Sequence, residues 1–527
     1  MNPACSPARR HLLKLAAGAA VASWLPRSAR GQPRFDANPF SLGVASGSPT
    51  HDSVVLWTRL MSPAPSADGL GREPVAVRWE MANDERFASS VQRGLAQALP
   101  ELAHSVHVEV QGLTPDRWYY FRFMAGDAVS TVARTRTFPA PDTAVPRLRL
   151  AYASCQRWEH GYFSAYRHMR EENPDAVMFL GDYIYEYPGA ANAVRTPTGS
   201  WVLTLADYRQ RYALHKGDVD LQAMHTACPW LVTWDDHEVQ NDYAGLKQGE
   251  AGPAVVDFAA RRAAAYQAFY EHMPVRASTL TQAIAGLAGG AEMRIYSQVR
   301  FGQLATLYLL DDRQYRTPQA CTRNGRAGSG RLNPDECPEW NDPARTLLGA
   351  RQERWLDGAF AGAGGHWNVV GQQTLFGQRD FRPGPGRTLW NDGWDGYPVA
   401  RKRFTDSLQK NTVANAVLLG GDVHENWVGH VKADYGNAAS PAVGVEFCGT
   451  SITSREFDRT KVSEWLAENP HFVFANAERK GYGLCEFTPG RLTTTLRVVS
   501  DVARKDAGIS TLAQFAVQAG KPVVERI

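Results

Sequence analysis

The sequence has few cysteines for its length, seven in 527 residues, which excludes the disulfide-dense scaffolds that replace a core with cross-links. It has no internal repeat of fixed period, so it is not a solenoid or propeller. It lacks an excess of either charge: 57 Lys and Arg stand against 54 Asp and Glu, with no long basic run beyond the extreme N-terminus. That balance offers no nucleic-acid surface. Long apolar runs are missing too, since no segment stays apolar over the roughly 20 residues that a bilayer-spanning helix needs. What is present is globular composition, 44% hydrophobic and 21% charged, with 46 Gly, 31 Pro and 15 Trp. At roughly one domain per 150 residues, the length allows about three units, or two with one of them large.

Ala8-Arg9-Arg10-His11-Leu12-Leu13-Lys14 opens a short apolar stretch from Leu15 to Trp24, and Ser28-Ala29-Arg30 follows as a small-residue cleavage region. This resembles a twin-arginine export signal over residues 1–32. The expectation is a protein exported already folded by the twin-arginine machinery to the periplasm or beyond. Cys5 would leave with the signal. Cys321 and Cys337 flank a Gly-, Asn- and Pro-rich segment whose ends a disulfide could join, while Cys228, Cys448 and Cys485 sit among apolar neighbours as small buried side chains.

From residue 38 to 139 short apolar or alternating runs recur between turn residues: Ser41 to Ala45, Ser53 to Leu60, Val75 to Met81, Ser105 to Gln111, Tyr119 to Met124 and Val132 to Phe138. That spacing predicts a small antiparallel sandwich. Pro139, Pro141 and Pro146 punctuate a linker. From 147 to 510 apolar strands alternate with helical periodicity, predicting a layered α/β domain. Its expected strands are Leu148 to Ala153, Ala176 to Leu180, Trp230 to Trp234, Gln303 to Leu310, Trp367 to Gly371 and Ala416 to Gly420; its helices include Val255 to Tyr270 and Ala350 to Phe360. The tail from Gly481 reads as closing strands, and its last twenty residues carry no clear pattern.

Four of those strands end in polar clusters: Ser154-Cys155-Gln156, Gly181-Asp182-Tyr183-Ile184-Tyr185-Glu186, Asp235-Asp236-His237-Glu238 and Gly421-Asp422-Val423-His424-Glu425-Asn426. Functional groups gather where loops leave the strand ends of α/β sheets. A thiol, a phenol, several carboxylates and two imidazoles at equivalent positions form a metal-ligand inventory. Any one of them alone reads equally well as a turn former, helix cap or core side chain.

With these motifs in place, the sequence resembles the PhoD family of alkaline phosphatases and phosphodiesterases. The resemblance also rests on Phe40-Ser41-Leu42-Gly43-Val44-Ala45-Ser46-Gly47, Asp311-Asp312-Arg313-Gln314-Tyr315-Arg316, Gly349-Ala350-Arg351-Gln352-Glu353-Arg354-Trp355-Leu356 and Trp394-Asp395-Gly396-Tyr397. More distantly, Gly181-Asp182 followed by Tyr185 is similar to the second motif of calcineurin-like metallophosphoesterases and purple acid phosphatases. Three departures from that wider pattern matter chemically. Cys155 stands where the first-motif Asp and His are missing, Asp236 replaces an Asn before His237, and Asp422 replaces the first His of the final motif while His424 keeps the second.

The resemblance implies a metallophosphoesterase domain behind a β-sandwich, with Cys155, Asp182, Tyr185, Asp236, Asp422 and His424 as metal ligands. Thiolate, phenolate and carboxylate suit Fe(III), and Asp236 with Asp422 makes the neighbouring position oxygen-rich, as Ca(II) prefers. Cys155, Asp182, Tyr185, Asp236 and Asp422 would contribute about −5 when deprotonated, matching one iron and one calcium, and the resemblance implies a second calcium. The expected reaction is hydrolysis of phosphate monoesters and diesters by metal-activated water, with Asp182 bridging. His237 is expected to stabilise substrate or leaving group, or else to orient a ligand. Arg313 serves either as a phosphate clamp or as a buried salt bridge. Asn391, Asp392, Asp395, Gln372 and Gln373 lie where they could reach the centre, with turn roles equally open. The rival readings are an enzyme acting mainly on diesters, in the manner of a phospholipase D, and a secreted sandwich-type binding protein.

Overall fold

A computed structural model of the chain describes residues 35–61, 70–189, 192–196, 199–280, 292–322, 325–455 and 461–527. The expected export signal, with Arg9, Arg10 and Cys5, lies outside the described residues. The chain gathers into two compact units that are not consecutive in sequence. One takes the chain up to Phe138 together with Trp201–Val232 and Val256–Ile295; the other takes Pro139–Ser200, Thr233–Val255 and Tyr296–Ile527.

In the first unit, Val44–Gly47, Val54–Arg59 and Ser105–Val110 pair antiparallel, and a second antiparallel sheet holds Val75–Ala82, Ser90–Ala98, Trp118–Ala125 and Ala133–Arg136. Alternate residues of Trp118–Ala125 are buried, as a half-buried strand requires. Their partners are inward residues of both sheets, among them Val54, Leu56, Val106, Val77 and Met81, so the predicted sandwich is present. Ser90–Ala98 is a strand that the alternation did not reveal. Only Ala98 is buried along it, because it lies at the sheet edge with Gly94 leaving room for the Trp79 indole. The helices Leu205–Lys216, Val219–His225 and Phe258–His272 belong to this same unit. The first starts on a capping box between Thr204 and Asp207, and the last on the Asp257 side chain.

In the second unit, Leu148–Ala153 pairs in parallel with Ala176–Leu180 and antiparallel with Gly481–Phe487, followed outward by Arg491–Val499 and Ile509–Gln518. The patternless tail thus adds a ten-residue strand to this sheet, with the short strand Glu525–Arg526 at its edge. A second sheet has Ala305–Leu309, Trp367–Gly371, Ala416–Gly420 and Ala442–Cys448 in parallel. The first three of these are buried from end to end, the mark of strands covered on both faces. On one face lie the helices Gly349–Ala361 and Pro398–Lys410, through Leu356, Phe360, Phe404 and Leu408. On the other, Gly371 sits so close to Met178 that a Cβ would not fit. Cys321 and Cys337 are disulfide-bonded, and Cys155, Cys228, Cys448 and Cys485 are buried thiols outside any disulfide. No helix among the described residues is long and apolar enough to cross a membrane.

Candidate metal centre

Each functional loop begins where a buried strand stops, and several of them begin with a backbone turn that ordinary residues avoid. Cys155, Asp182, Asp422 and His424 have φ of 59°, 60°, 63° and 58°. The left-handed region costs a non-glycine residue about 1 kcal/mol or more, so the surroundings must hold it there. Here Cys155 N donates to Gly181 O at 3.1 Å and Gln156 N to Asp182 O at 3.0 Å, joining the first two loops. Glu238 joins the second to the third, because its carboxylate accepts from the backbone N–H groups of Asp182, Tyr183 and Asp235 at 3.1, 2.6 and 2.8 Å. Gly181 leaves no room for a Cβ against the Asp235 backbone, so only glycine permits this approach.

The result is a chain of clusters that share members. Ligand atoms of Cys155, Asp182 and His424 lie within 4.8 Å of one another, as do those of Asp182, Asp236 and His237, of Asp235, Asp236 and Asp422, and of Asp236, Asp242 and Asp392. The Tyr185 hydroxyl donates to Asp182 Oδ2 at 2.7 Å and lies 3.2 Å from His424 Nε2. All six expected ligands and His237 are therefore in one place. His424 Nδ1 meets the Arg455 carbonyl at 2.7 Å; a carbonyl only accepts, so Nδ1 carries the proton and Nε2 keeps its lone pair for a metal. His237 Nδ1 meets Glu186 Oε2 at 2.7 Å, and Thr374 Oγ1 donates to Asp422 Oδ2 at 2.7 Å.

Arg313 is buried among the carboxylates. Its Nε donates to Asp235 Oδ1, its Nη1 to Asp392 Oδ2 at 2.6 Å, and its Nη2 lies 3.5 Å from Asp422 Oδ1. This geometry is that of the salt-bridge alternative. The sequence carries no separate signal for Asp242 or Asp235, and for Asp392 it leaves a turn role equally open. Asp242 is brought in by its backbone N–H, which donates to Asp236 Oδ2 at 2.7 Å, and Arg316 and Gln319 hold Asp392 Oδ1 at 2.7 and 2.6 Å. Asn391 ties Gly330 to Ala320, and Asp395 pairs with Arg401 at 2.5 Å. Gln373 caps the Thr233, Trp234 and Leu310 positions, while Gln372 accepts from the Trp394 indole at 3.0 Å. These four are loop-tying residues.

Charge in this centre is unbalanced. Burial and the neighbouring Asp182 push the Cys155 thiol well up, and burial with Asp182 does the same to the Tyr185 phenol. Burial also raises Asp182 well above the usual carboxylate range and lifts Asp422 to about 6. Burial acts the same way on Asp236, but Arg313 and His237 outweigh it and hold that carboxyl below its ordinary value. Asp182 Oδ1, Asp235 Oδ2 and Asp236 Oδ1 are buried with no hydrogen-bond partner. Buried anionic oxygens left unpaired are costly, and a cation removes the cost and reverses the direction of these shifts. The donor set fits metal ions. His424 is held neutral by burial, helped by Lys480, which is the form a ligand needs. Burial opposes the proton on His237, yet Asp182, Glu186 and Asp236 prevail and raise it to about 10.

The clusters open onto a cavity of about 250 Å³. Asp182, Asp236, His237, Asp392, Asp422 and His424 line it, together with Arg331, Phe381, Trp390 and Trp465 among others.

Against known proteins, residues 150–496 match the family model described as PhoD-like phosphatase, and residues 26–139 match that for the N-terminal domain of PhoD-like phosphatases. Alkaline phosphatase D of Bacillus subtilis is 44% identical over 494 residues, which is 92% of this chain and 82% of that protein. The solved structure of PhoD is 43% identical and superposes with a TM-score of 0.87, covering 94% of this chain and 93% of its own. An all-β region followed by an α/β catalytic region is what that likeness shares with the fold described above. The chain belongs to the PhoD-like phosphatase family and is a phosphatase.

Proposed function

We propose that this phosphatase hydrolyses phosphate monoesters and diesters at one Fe(III) and one or two Ca(II). The observation that carries the reading is the convergence of Cys155, Asp182 and His424 on one point with the Tyr185 hydroxyl against Asp182, beside an all-oxygen set. Thiolate, phenolate, carboxylate and imidazole would hold the iron; Asp182, Asp236 and Asp422 would hold a calcium; Asp236, Asp242 and Asp392 offer a place for a second. When bound, the ions supply Lewis acidity to the phosphoryl oxygens and make a water nucleophilic at neutral pH.

The chain's own groups orient and donate. The imidazolium favoured by Asp182, Glu186 and Asp236 carries a proton on each ring nitrogen: Glu186 accepts from His237 Nδ1, and the proton on Nε2 is available in the cavity to a phosphoryl or leaving-group oxygen. Cations on Asp182 and Asp236 would cancel two of the three carboxylates that retain this proton, leaving Glu186 as its partner. Arg313 is proposed to space and neutralise Asp235, Asp392 and Asp422 rather than to clamp substrate, since it is 1% exposed and its donors are turned to those carboxylates. A 1–32 export signal, a 38–139 sandwich, a 147–510 catalytic region and twin-arginine delivery to the periplasm or beyond complete the proposal.

Elemental analysis with absorption spectroscopy tests it. The purified enzyme should hold iron and show a visible charge-transfer band, and Tyr185→Phe should lose or shift that band. Calcium chelation should stop turnover and leave the colour. A colourless, iron-free enzyme with full activity would overturn the ligand assignment.

A further inference from the structure

Two arginines line the cavity, Arg331 and Arg379, and they differ in what they are paired with. Arg379 is committed, with its Nη1 on Glu425 at 2.8 Å. Arg331 has no hydrogen-bonded or ion-paired side-chain partner among the described residues. Its guanidinium instead lies 4.7 Å over the Phe381 ring and 5.7 Å from that of Trp465, and those two rings meet edge to face at 4.8 Å. The backbone beneath it is fixed on both sides: Arg331 pairs with Trp390 across a short antiparallel ladder, and Ser329 Oγ donates to Asp242 Oδ2 at 2.8 Å. An exposed cation held by stacking, without a counter-charge, beside a wall of carboxylates is a binding group waiting for an anion.

We propose that Arg331, on the aromatic wall of Phe381 and Trp465, is a specificity-determining residue that binds a second phosphate of the substrate, remote from the phosphoryl group undergoing hydrolysis. The preferred substrates are then phosphodiesters that carry a further phosphate on the leaving group or on the retained substituent. The guanidinium fork matches a phosphate in a bidentate manner, and the rings limit the directions it can turn. This rests on the phosphoesterase reading of the metal centre and adds the substrate class.

The test uses the metal-loaded enzyme and two chromogenic diesters, bis(p-nitrophenyl) phosphate and a p-nitrophenyl diester of glycerol phosphate bearing a second, terminal phosphate. Arg331→Gln should lower the ratio of kcat/KM for the second over the first by about tenfold or more, mostly through KM. In the parent the same ratio should fall as ionic strength rises, because the contact is borne by charge at an exposed site. A ratio unmoved in Arg331→Gln, or insensitive to salt in the parent, would overturn the assignment of Arg331 alone. A parent inactive on both diesters would overturn the phosphoesterase reading along with it.

Discussion

Glu271 in the first unit and Asp236 in the second are both buried carboxylates at the centre of an ionic cluster, but only one cluster is satisfied by its own side chains. Glu271 accepts from Arg209 Nε and Nη2 at 2.7 and 2.6 Å and from Gln267 at 2.9 Å. Beside it, Arg59 donates to the Ala103 carbonyl at 2.8 Å and to His272 Nε2 at 2.7 Å, and burial keeps that imidazole neutral. Around Asp236 the carboxylates outnumber the cations. The buried carboxylate oxygens without a hydrogen-bond partner, among the described residues, all belong to the second unit: Glu159 Oε2, Asp182 Oδ1, Asp235 Oδ2, Asp236 Oδ1 and Asp312 Oδ1. Burial alone therefore does not mark function in this chain. A buried charge that its neighbours have paired contributes to the fold, and left-over oxygens that converge on one centre, as on Asp182, Asp235 and Asp236, point to a ligand.

The contrast is broken most sharply at Asp182, which belongs to two of the clusters. Asp182→Asn removes a shared anion, and activity on an aryl phosphate should fall about 10³-fold or more, with less iron found by elemental analysis. A variant with parental iron and rate would place the metals elsewhere. Glu271→Gln should do the reverse. It leaves Arg209 buried against a neutral amide, so the fold should lose about 3–5 kcal/mol in urea unfolding while kcat of the folded enzyme stays near the parent value. A loss of kcat without a loss of stability would show that Glu271 is not a purely structural charge.

The same contrast explains which parts of the molecule were legible in the sequence. The strands Ala176–Leu180 and Ala416–Gly420 were readable because strands covered on both faces are continuous apolar runs, and Leu148–Ala153 and Trp367–Gly371 because only Arg149 and Asn368 interrupt such a run. Cys155, Asp182, Asp236 and Asp422 were readable because each follows such a run directly. Asp242 was not, since it lies several residues beyond its strand and enters through a left-handed turn at φ 58° and a backbone contact to Asp236. Asp392 carried a weak signal in its aromatic, Gly-rich loop, but what draws it in is Arg313 and Arg316, 79 and 76 residues away along the chain. The interleaving of the two units was equally hidden. Leu205–Lys216 and Phe258–His272 have helical sequences, yet nothing local says that they belong with the sandwich.

Lys216 sharpens the comparison with the smallest expected effect. It is 1% exposed, lies 4.2 Å over the Trp57 ring, and burial lowers it from its ordinary 10.5 to about 7. Between those two values the unfolded chain binds a proton that the fold does not, so this residue makes stability rise with pH. Its contribution is fully present above the unfolded value and is lost as pH falls to the folded one. Lys216→Met keeps an unbranched apolar stem against Trp57 and removes the titration. The variant should be more stable than the parent by about 1–2 kcal/mol at pH 7, with the difference shrinking as pH rises toward 10. Groups in the metal centre titrate over the same range in both proteins and cancel in the difference, so urea unfolding of parent and variant at matched pH values isolates Lys216. A difference independent of pH would mean that the Trp57 face holds the ammonium charged in the fold, and that this unit, too, keeps a buried charge on terms other than a salt bridge.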